Sequence, residues 1–473
     1  MTYSLIDNAS LTAVQRVFGQ IQIKNTDTID GDLVALENVL QSILFYDELI
    51  CIDDYKPKYR DERSNYFDFI RFLNKGDFDL KEIEDQAKKE ASLINPVIRG
   101  GEFVDQDFKN FLDLLKMNII CTWDLRSSVY YLTMKMLGQP DTPEFEKYGK
   151  LNSTIFNELS DVSETFGYWS DDIQLIGSNG VVHKKGEMQK ASESKSRGFG
   201  GSTRALEVFV ASINWLAYKS IYYSLVSTHF RADTFLHPIR HAFQLHWMKK
   251  NGIFGYDFSS KLVTSLNTTL NTTIGEIIDN GRNMSLSLDL PLFSAWLATQ
   301  CGDVKGTIKA ALELKKSQDF VDVRNLLREI KIGFDEKGLN SANKGIEKWK
   351  KELSKASVNL KSKFGIKTDQ GIPSSFLFGV YNSVAAIVQL PKFPTFNFNI
   401  PLPSFVQSNL AKGFFNIFKN ITTELATIER LGSIRSLLAS SYDIDEESEK
   451  RIPRIRTEDP DYRNYRSDWK IPM

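Results

Sequence analysis

A mainly α-helical protein, built as a multi-lobed helical assembly with a few short β-strands, is the fold that the sequence predicts. Three observations carry that prediction. Apolar residues recur at three- and four-residue spacings along most of the chain. Runs alternating at period two are few and short. The 473 residues are 42% hydrophobic and 25% charged, a globular balance that excludes wholesale disorder and collagen-like repetition.

Residues 31–46 (GDLVALENVLQSILFY) set Leu33, Leu36, Leu40, Ile43 and Leu44 on one helical stripe, with Asp30 or Asp32 placed to cap the first turn. Leu49–Asp53 (LICID) reads as a short strand and Gln20–Lys24 (QIQIK) as a second alternating candidate. Helical patterns follow near 81–95, 106–118, 127–137 and 150–166, the last two separated by Pro140 and Pro143. Residues 1–176 thus read as one helical lobe with a small sheet at most. Residues 177–204 are rich in Gly, Ser and Lys, with six Lys/Arg against two Glu, and are expected to form a flexible basic linker.

From Ala205 the run ALEVFVASINWLAYKSIYYSLV is strongly apolar, but Glu207, Asn214 and Lys219 interrupt it. A buried helix fits better than a membrane span. Helices follow over 258–274, 291–300 and 304–331. Residues 337–367 carry nine Lys against two Glu, with Ile346, Trp349, Leu353, Leu360 and Phe364 on one seam. With the helix before it, this segment predicts an antiparallel hairpin. Residues 370–411 contain a single charge, Lys392, and five of the 14 prolines. Core, a partner-covered surface and lipid compete for that stretch; core is favoured, because polar side chains and prolines are costly in hydrocarbon. A C-terminal lobe over 205–441 and a charged tail over 442–473 complete the organisation.

Two segments, DGDLVALENVLQSILFYDELICID and ALELKKSQDFVDVRNLLREI, resemble stretches of functionally uncharacterised bacterial helical proteins. The resemblance implies a prokaryotic origin and carries no activity and no site residue.

The charge balance narrows the function classes. Fifty-nine Lys+Arg against 60 Asp+Glu leave a net charge of −1, so no global basic field draws the whole molecule onto nucleic acid. Cys51, Cys121 and Cys301 lie far apart among apolar neighbours, which points to a reducing compartment and buried, inert thiols. The opening MTYSLIDNAS has no basic patch followed by an apolar run, so a cytoplasmic location is expected.

Four of the five histidines, His229, His237, His241 and His246, fall within 18 positions. His237 and His241 are four apart, on one helical face if Pro238 opens a helix, and Asp233 precedes His237 by four. Asp233, His237 and His241 therefore form a candidate divalent-metal set. HExxH is absent, and imidazoles that cap helix ends and pack under Trp247, Phe230 and Phe243 are the favoured reading. The run KSRGFGGSTR matches neither the Walker pattern nor GxGxxG, so no nucleotide cofactor is favoured. Lys344, Lys348, Lys351 and Lys355 on the basic helix form a candidate anion or nucleic-acid surface, weighed against an ordinary solvated face. No GxSxG elbow is present.

The leading expectation is a cytosolic, non-catalytic subunit or adaptor of a bacterial system, with a protein partner or a second copy of itself. A metal-dependent hydrolase centred on the histidine cluster and an effector binding nucleic acid or membrane through 337–367 are the alternatives.

Overall fold

The computed structural model describes residues 1–23, 29–53, 57–92, 98–99, 102–103, 175–176, 182–183, 217–251, 258–282, 291–337, 339–363, 407–425 and 436–447. Mainly α architecture with a few short strands is what it shows. The strands matter more than their length suggests.

β1 (Tyr3–Ile6) is followed by α1 (Asn8–Val17), α2 (Ile29–Phe45), β2 (Glu48–Asp53), α3 (Pro57–Tyr66), β3 (Ile70–Asn74) and α4 (Lys81–Ser92). Four two-residue strands come next: β4 (Ile98–Arg99), β5 (Glu102–Phe103), β6 (Leu175–Ile176) and β7 (Val182–His183), in spatial order β5-β4-β6-β7. A helix over 217–229, here α5, leads into β8 (Ala232–Phe235). The remainder is helical: α6 (Pro238–Asn251), α7 (Phe258–Arg282), α8 (Leu292–Cys301), α9 (Thr307–Leu314), α10 (Gln318–Lys337), α11 (Leu339–Lys363) and α12 (Gln407–Leu425).

The main sheet has the order β3-β2-β1-β8, and every pairing in it is parallel. Tyr3 stands opposite Glu48 on one side and Ala232 on the other. Side chains alternate between the two faces. Ile6, Leu49, Cys51 and Phe235 join a large core with α2, α7, α8, α10, α11 and α12. On the opposite face the Thr234 hydroxyl accepts from Gln244 Nε2 of α6 at 2.9 Å, and the same amide reaches Ser224 of α5. Helices on both faces explain why these strands read as short apolar runs without clean alternation.

α2 is the hub of the larger layer. The expected stripe of Leu33, Leu36, Leu40, Ile43 and Leu44 is fully buried, and so are Ala35 and Val39. Even Glu37 is buried: its carboxylate accepts from the Phe293 and Ser294 amides at 3.2 and 2.8 Å and thereby caps α8, whose own N-cap, Pro291, offers no side-chain acceptor. α10 and α11 form the expected hairpin, with Gly345 pressed against Ile330. Lys315–Ser317 turn the chain between α9 and α10, so the single helix expected over 304–331 is two.

At the amino ends of the strands, Asp47 joins the two layers. It accepts from Thr2 N at 2.7 Å and Arg328 Nη2 at 2.6 Å. Burial pushes this carboxyl up, but the bonds from Arg328 and Thr2 outweigh it and hold it below its ordinary value. Among the described residues of the Gln20–Lys24 candidate, 20–23, only Ile23 makes a bridge, to Ile444, because Gly19 at φ 70° ends α1 in a turn. The Gly/Ser/Lys stretch contributes β7, and its other residues lie outside the described ones. The sheet and core draw on both sides of that stretch. The expected helices at 106–118, 127–137 and 150–166, the apolar run before residue 217 and most of 370–411 also lie outside the described residues. No helix among the described residues is long and apolar enough to cross a membrane.

Candidate functional site

In an open parallel sheet the carboxyl ends of the strands form a crevice where the strand order reverses. Here that point lies between β1 and β8. Asp7 directly follows β1, and His237 lies two residues beyond β8.

Asp7 ends β1 and caps α1 from an extended conformation (φ −89°, ψ 158°). Its Oδ1 accepts from Ser10 N at 3.1 Å, Ser10 Oγ at 2.6 Å and His237 N at 3.1 Å. Arg240 Nη1 of α6 donates to Oδ2 at 3.0 Å. Both partners of this ion pair are buried, with side-chain exposures of 2% and 0%. Arg240 also lies over the Tyr223 ring, 5.6 Å from its centroid. One carboxylate thus ties β1, α1, the β8–α6 turn and α6 together.

His237 packs beside this pair, buried, with its ring next to Gly31 at the start of α2. Burial, then the positive fields of Arg16 and Arg240, hold its imidazole well below the usual 6.5, so the ring is neutral. Arg16 grips Asp32 bidentately, through Nε at 2.9 Å and Nη2 at 2.6 Å. Burial pushes the Asp32 carboxyl up and Arg16 partly offsets that. On the β2 side Arg63 of α3 reaches Asn8 Oδ1 at 3.2 Å, Thr12 Oγ1 at 2.6 Å and Gln15 Oε1 at 3.0 Å. The Asn8 amide in turn donates to Ile52 O at the end of β2, 3.4 Å away.

The candidate metal set falls in different surroundings. Asp233 lies within β8 and points to α10, where Lys331 Nζ donates to it at 3.0 Å. Burial raises its carboxyl and Lys331 counters. His237 belongs to the switch-point cluster. His241 stands one turn along α6, as the four-residue spacing predicts, half-buried, with Nδ1 3.1 Å from Gln244 Oε1. No group of three or more His, Cys, Asp or Glu among the described residues is placed to hold a metal ion. His229 is exposed and meets Phe230 edge-on. Cys51 is buried as expected, but Cys301 is exposed at the end of α8, where partial burial and the carboxylates of Asp303 and Glu313 push its thiol up, away from reactivity.

The four candidate lysines form a stripe on α11. The buried seam runs through Ala342, Ile346, Trp349, Leu353, Ala356 and Leu360. Each of Lys344, Lys348, Lys351 and Lys355 lies two residues beyond a seam position, about 200° around the helix, so the stripe faces away from the core over about 16 Å. Lys355 pairs with Glu352 at 3.1 Å; among the described residues Lys344, Lys348 and Lys351 have no carboxylate partner. Trp349 is wholly interior, donating to Ser265 Oγ at 3.2 Å and meeting Phe414 edge-on.

Sequence reasoning missed Asp7, Ser10, Arg16, Asp32 and Arg240 as a unit. The available signal was Asp7 three residues before Ser10, directly after the apolar YSLI, a capping spacing at a strand end. Comparison of the chain with protein-family models, curated proteins and solved structures gave no match.

Proposed function

We propose that the protein acts by association and has no chemistry of its own, as a subunit or adaptor that presents its helical layer to a partner. The observation that carries this reading is the state of Asp7. An open parallel sheet offers the N-terminus of its first helix to an anionic group of a ligand. Here the chain's own carboxylate takes that place, with hydrogen bonds from Ser10, His237 and Arg240. A phosphate entering there would break a buried charge pair, at a cost of about 3–5 kcal/mol. The sparse cysteines fit a reducing cytoplasm, and the resemblance of two helical segments fits a bacterial setting.

The test is thermal denaturation of the full chain with ATP, NAD and pyrophosphate at millimolar concentration. The expected result is no change in Tm. A rise with any of them that disappears in Arg240→Gln would replace this reading with a ligand-binding one. Light scattering on the eluted protein then separates self-association from a monomer awaiting another partner.

A second reading rests on the lysine stripe: α11 lies along the phosphates of a nucleic acid. Three lysines without carboxylate partners among the described residues, on one face, favour it. The burial of Trp349 and its seam removes the apolar contact that insertion into a membrane would use.

A further inference from the structure

The start of the C-terminal segment does not hang free. Leu438 is buried in the main core, and Leu437, Ala439, Tyr442 and Ile444 pack against it. Beyond Leu438 the chain crosses the α1–α2 connection and zips onto it. Ile23 N donates to Asp443 O and Asp445 N donates to Ile23 O, both at 2.8 Å, a parallel bridge between the two ends of the chain. Gln22 Nε2 adds a bond to Asp443 Oδ1 at 3.2 Å.

Two contacts give this crossing its meaning. Gly19, at φ 70°, lies directly under Ser441: a Cβ there would collide with the Ser441 carbonyl oxygen. The Tyr442 hydroxyl reaches Ile29 O at 3.4 Å and Asp32 Oδ2 at 3.5 Å. Asp32 holds Arg16, its neighbour Gly31 lies against the His237 ring, and the backbone of His237 is bonded to Asp7. Hydrogen bonds at Tyr442, Asp32 and Asp7, joined by the packing of Gly31 on His237, therefore connect the C-terminal segment to the carboxyl ends of β1 and β8.

We propose that residues 439–445 are a strap that holds the switch-point cluster closed, so that displacing the segment loosens Asp32, Arg16 and the Asp7–His237 junction behind them. The strap is a separable piece by construction. Its backbone bonds to the α1–α2 connection are made at Ile23, and the Tyr442 phenol reaches the cluster. A partner that grips the chain near Asp443–Glu447, where Asp443, Glu446 and Glu447 are exposed, pulls on this device. The inference goes beyond the association reading and does not depend on it.

Amide hydrogen exchange on the full chain tests the strap, with the wild type compared with Gly19→Ala, Tyr442→Phe and Gly302→Ala. The last is a control for left-handed strain alone: Gly302 has φ 76° and open space where a Cβ would go. In Gly19→Ala the amides of Ile23 and Asp445 are expected to exchange at least ten times faster, and those of Ser10 and His237, both bonded to Asp7, to follow. In Tyr442→Phe the Ser10 and His237 amides loosen while Ile23 and Asp445 stay protected. Gly302→Ala changes none of the four. Should Ser10 and His237 keep wild-type rates while the Ile23–Asp445 ladder opens, the segment closes nothing and the proposal fails. It fails equally if Gly19→Ala leaves that ladder protected.

Discussion

Replacing Asp7 by Ala removes three things at once, and their sizes differ. The N-cap of α1 accounts for about 1 kcal/mol. The His237 amide loses its acceptor, about another 1 kcal/mol. The largest part is Arg240, whose side chain is 2% exposed and would be left as a buried cation facing no carboxylate at this position. At such burial the screening that makes surface pairs weak does not apply, and breaking the pair costs about 3–5 kcal/mol. The total of about 5–7 kcal/mol is a large share of the stability of any domain. Arg240→Met alone leaves the Asp7 carboxylate with its bonds from Ser10 and His237, so its cost is smaller, about 2–4 kcal/mol. In the double variant neither charge remains buried alone. Its destabilisation is therefore expected to fall short of the sum of the singles by about 2 kcal/mol or more. Urea denaturation of the full chain, followed by circular dichroism with m-values compared across the set, reads all three. Asp7→Asn, which keeps an acceptor for Ser10, serves as the mildest member should Asp7→Ala not fold. If the single effects add to within about 0.5 kcal/mol, Asp7 and Arg240 are not coupled and the account of the switch point is wrong.

His237 makes stability pH-dependent with a definite sign. Its imidazole is held well below 6.5 in the fold, so below 6.5 the unfolded chain takes up a proton that the folded chain does not. Acidification from pH 7 to pH 5 should cost the wild type up to about 1.4 kcal/mol per pH unit below 6.5 from this group, and His237→Gln should lack that part of the slope; parallel profiles would remove the buried neutral imidazole from the picture. Arg231, exposed at φ 51° after α5, occupies a conformation that costs a side-chain-bearing residue about 1 kcal/mol, so Arg231→Gly is expected to stabilise the chain by about that much in urea denaturation. If α11 lies on nucleic acid, Lys344, Lys348 and Lys351 give log K for duplex DNA a slope of about −2.7 against log salt, and Lys351→Glu should make it shallower by about 1; no retention of the wild type on DNA at low salt would end that reading.

The helical part of the fold was legible because each long helix carries its burial as a stripe. Leu33 through Leu44 and Ile346 through Leu360 are buried at the expected spacings, and LICID is the strand it resembled. The sheet was not legible. β1 and β8 are four residues each, buried on both faces, and β8, from the middle of the chain, pairs with a strand from its beginning. Local periodicity holds no record of such a pairing. Asp233, His237 and His241 drew attention through spacing along a helix, but the strand end between Asp233 and His237 sends the first to Lys331 and the second to Asp7. The cluster that does assemble is made of residues from the beginning of the chain and from its middle. The lysines of α11 share one face because that face is set by the same seam that buries Trp349.

Because Tyr3–Ile6 lie beside Ala232–Phe235, β1 emerges from the ribosome long before the neighbour that completes it. At roughly 5–20 residues per second, translation of the intervening chain takes about 10–45 seconds. Throughout that interval one edge of an apolar strand has no partner from its own chain, and pairings so distant in sequence are intrinsically slow to form. Newly made copies of this protein should therefore depend on chaperones more than a helical protein of local contacts would.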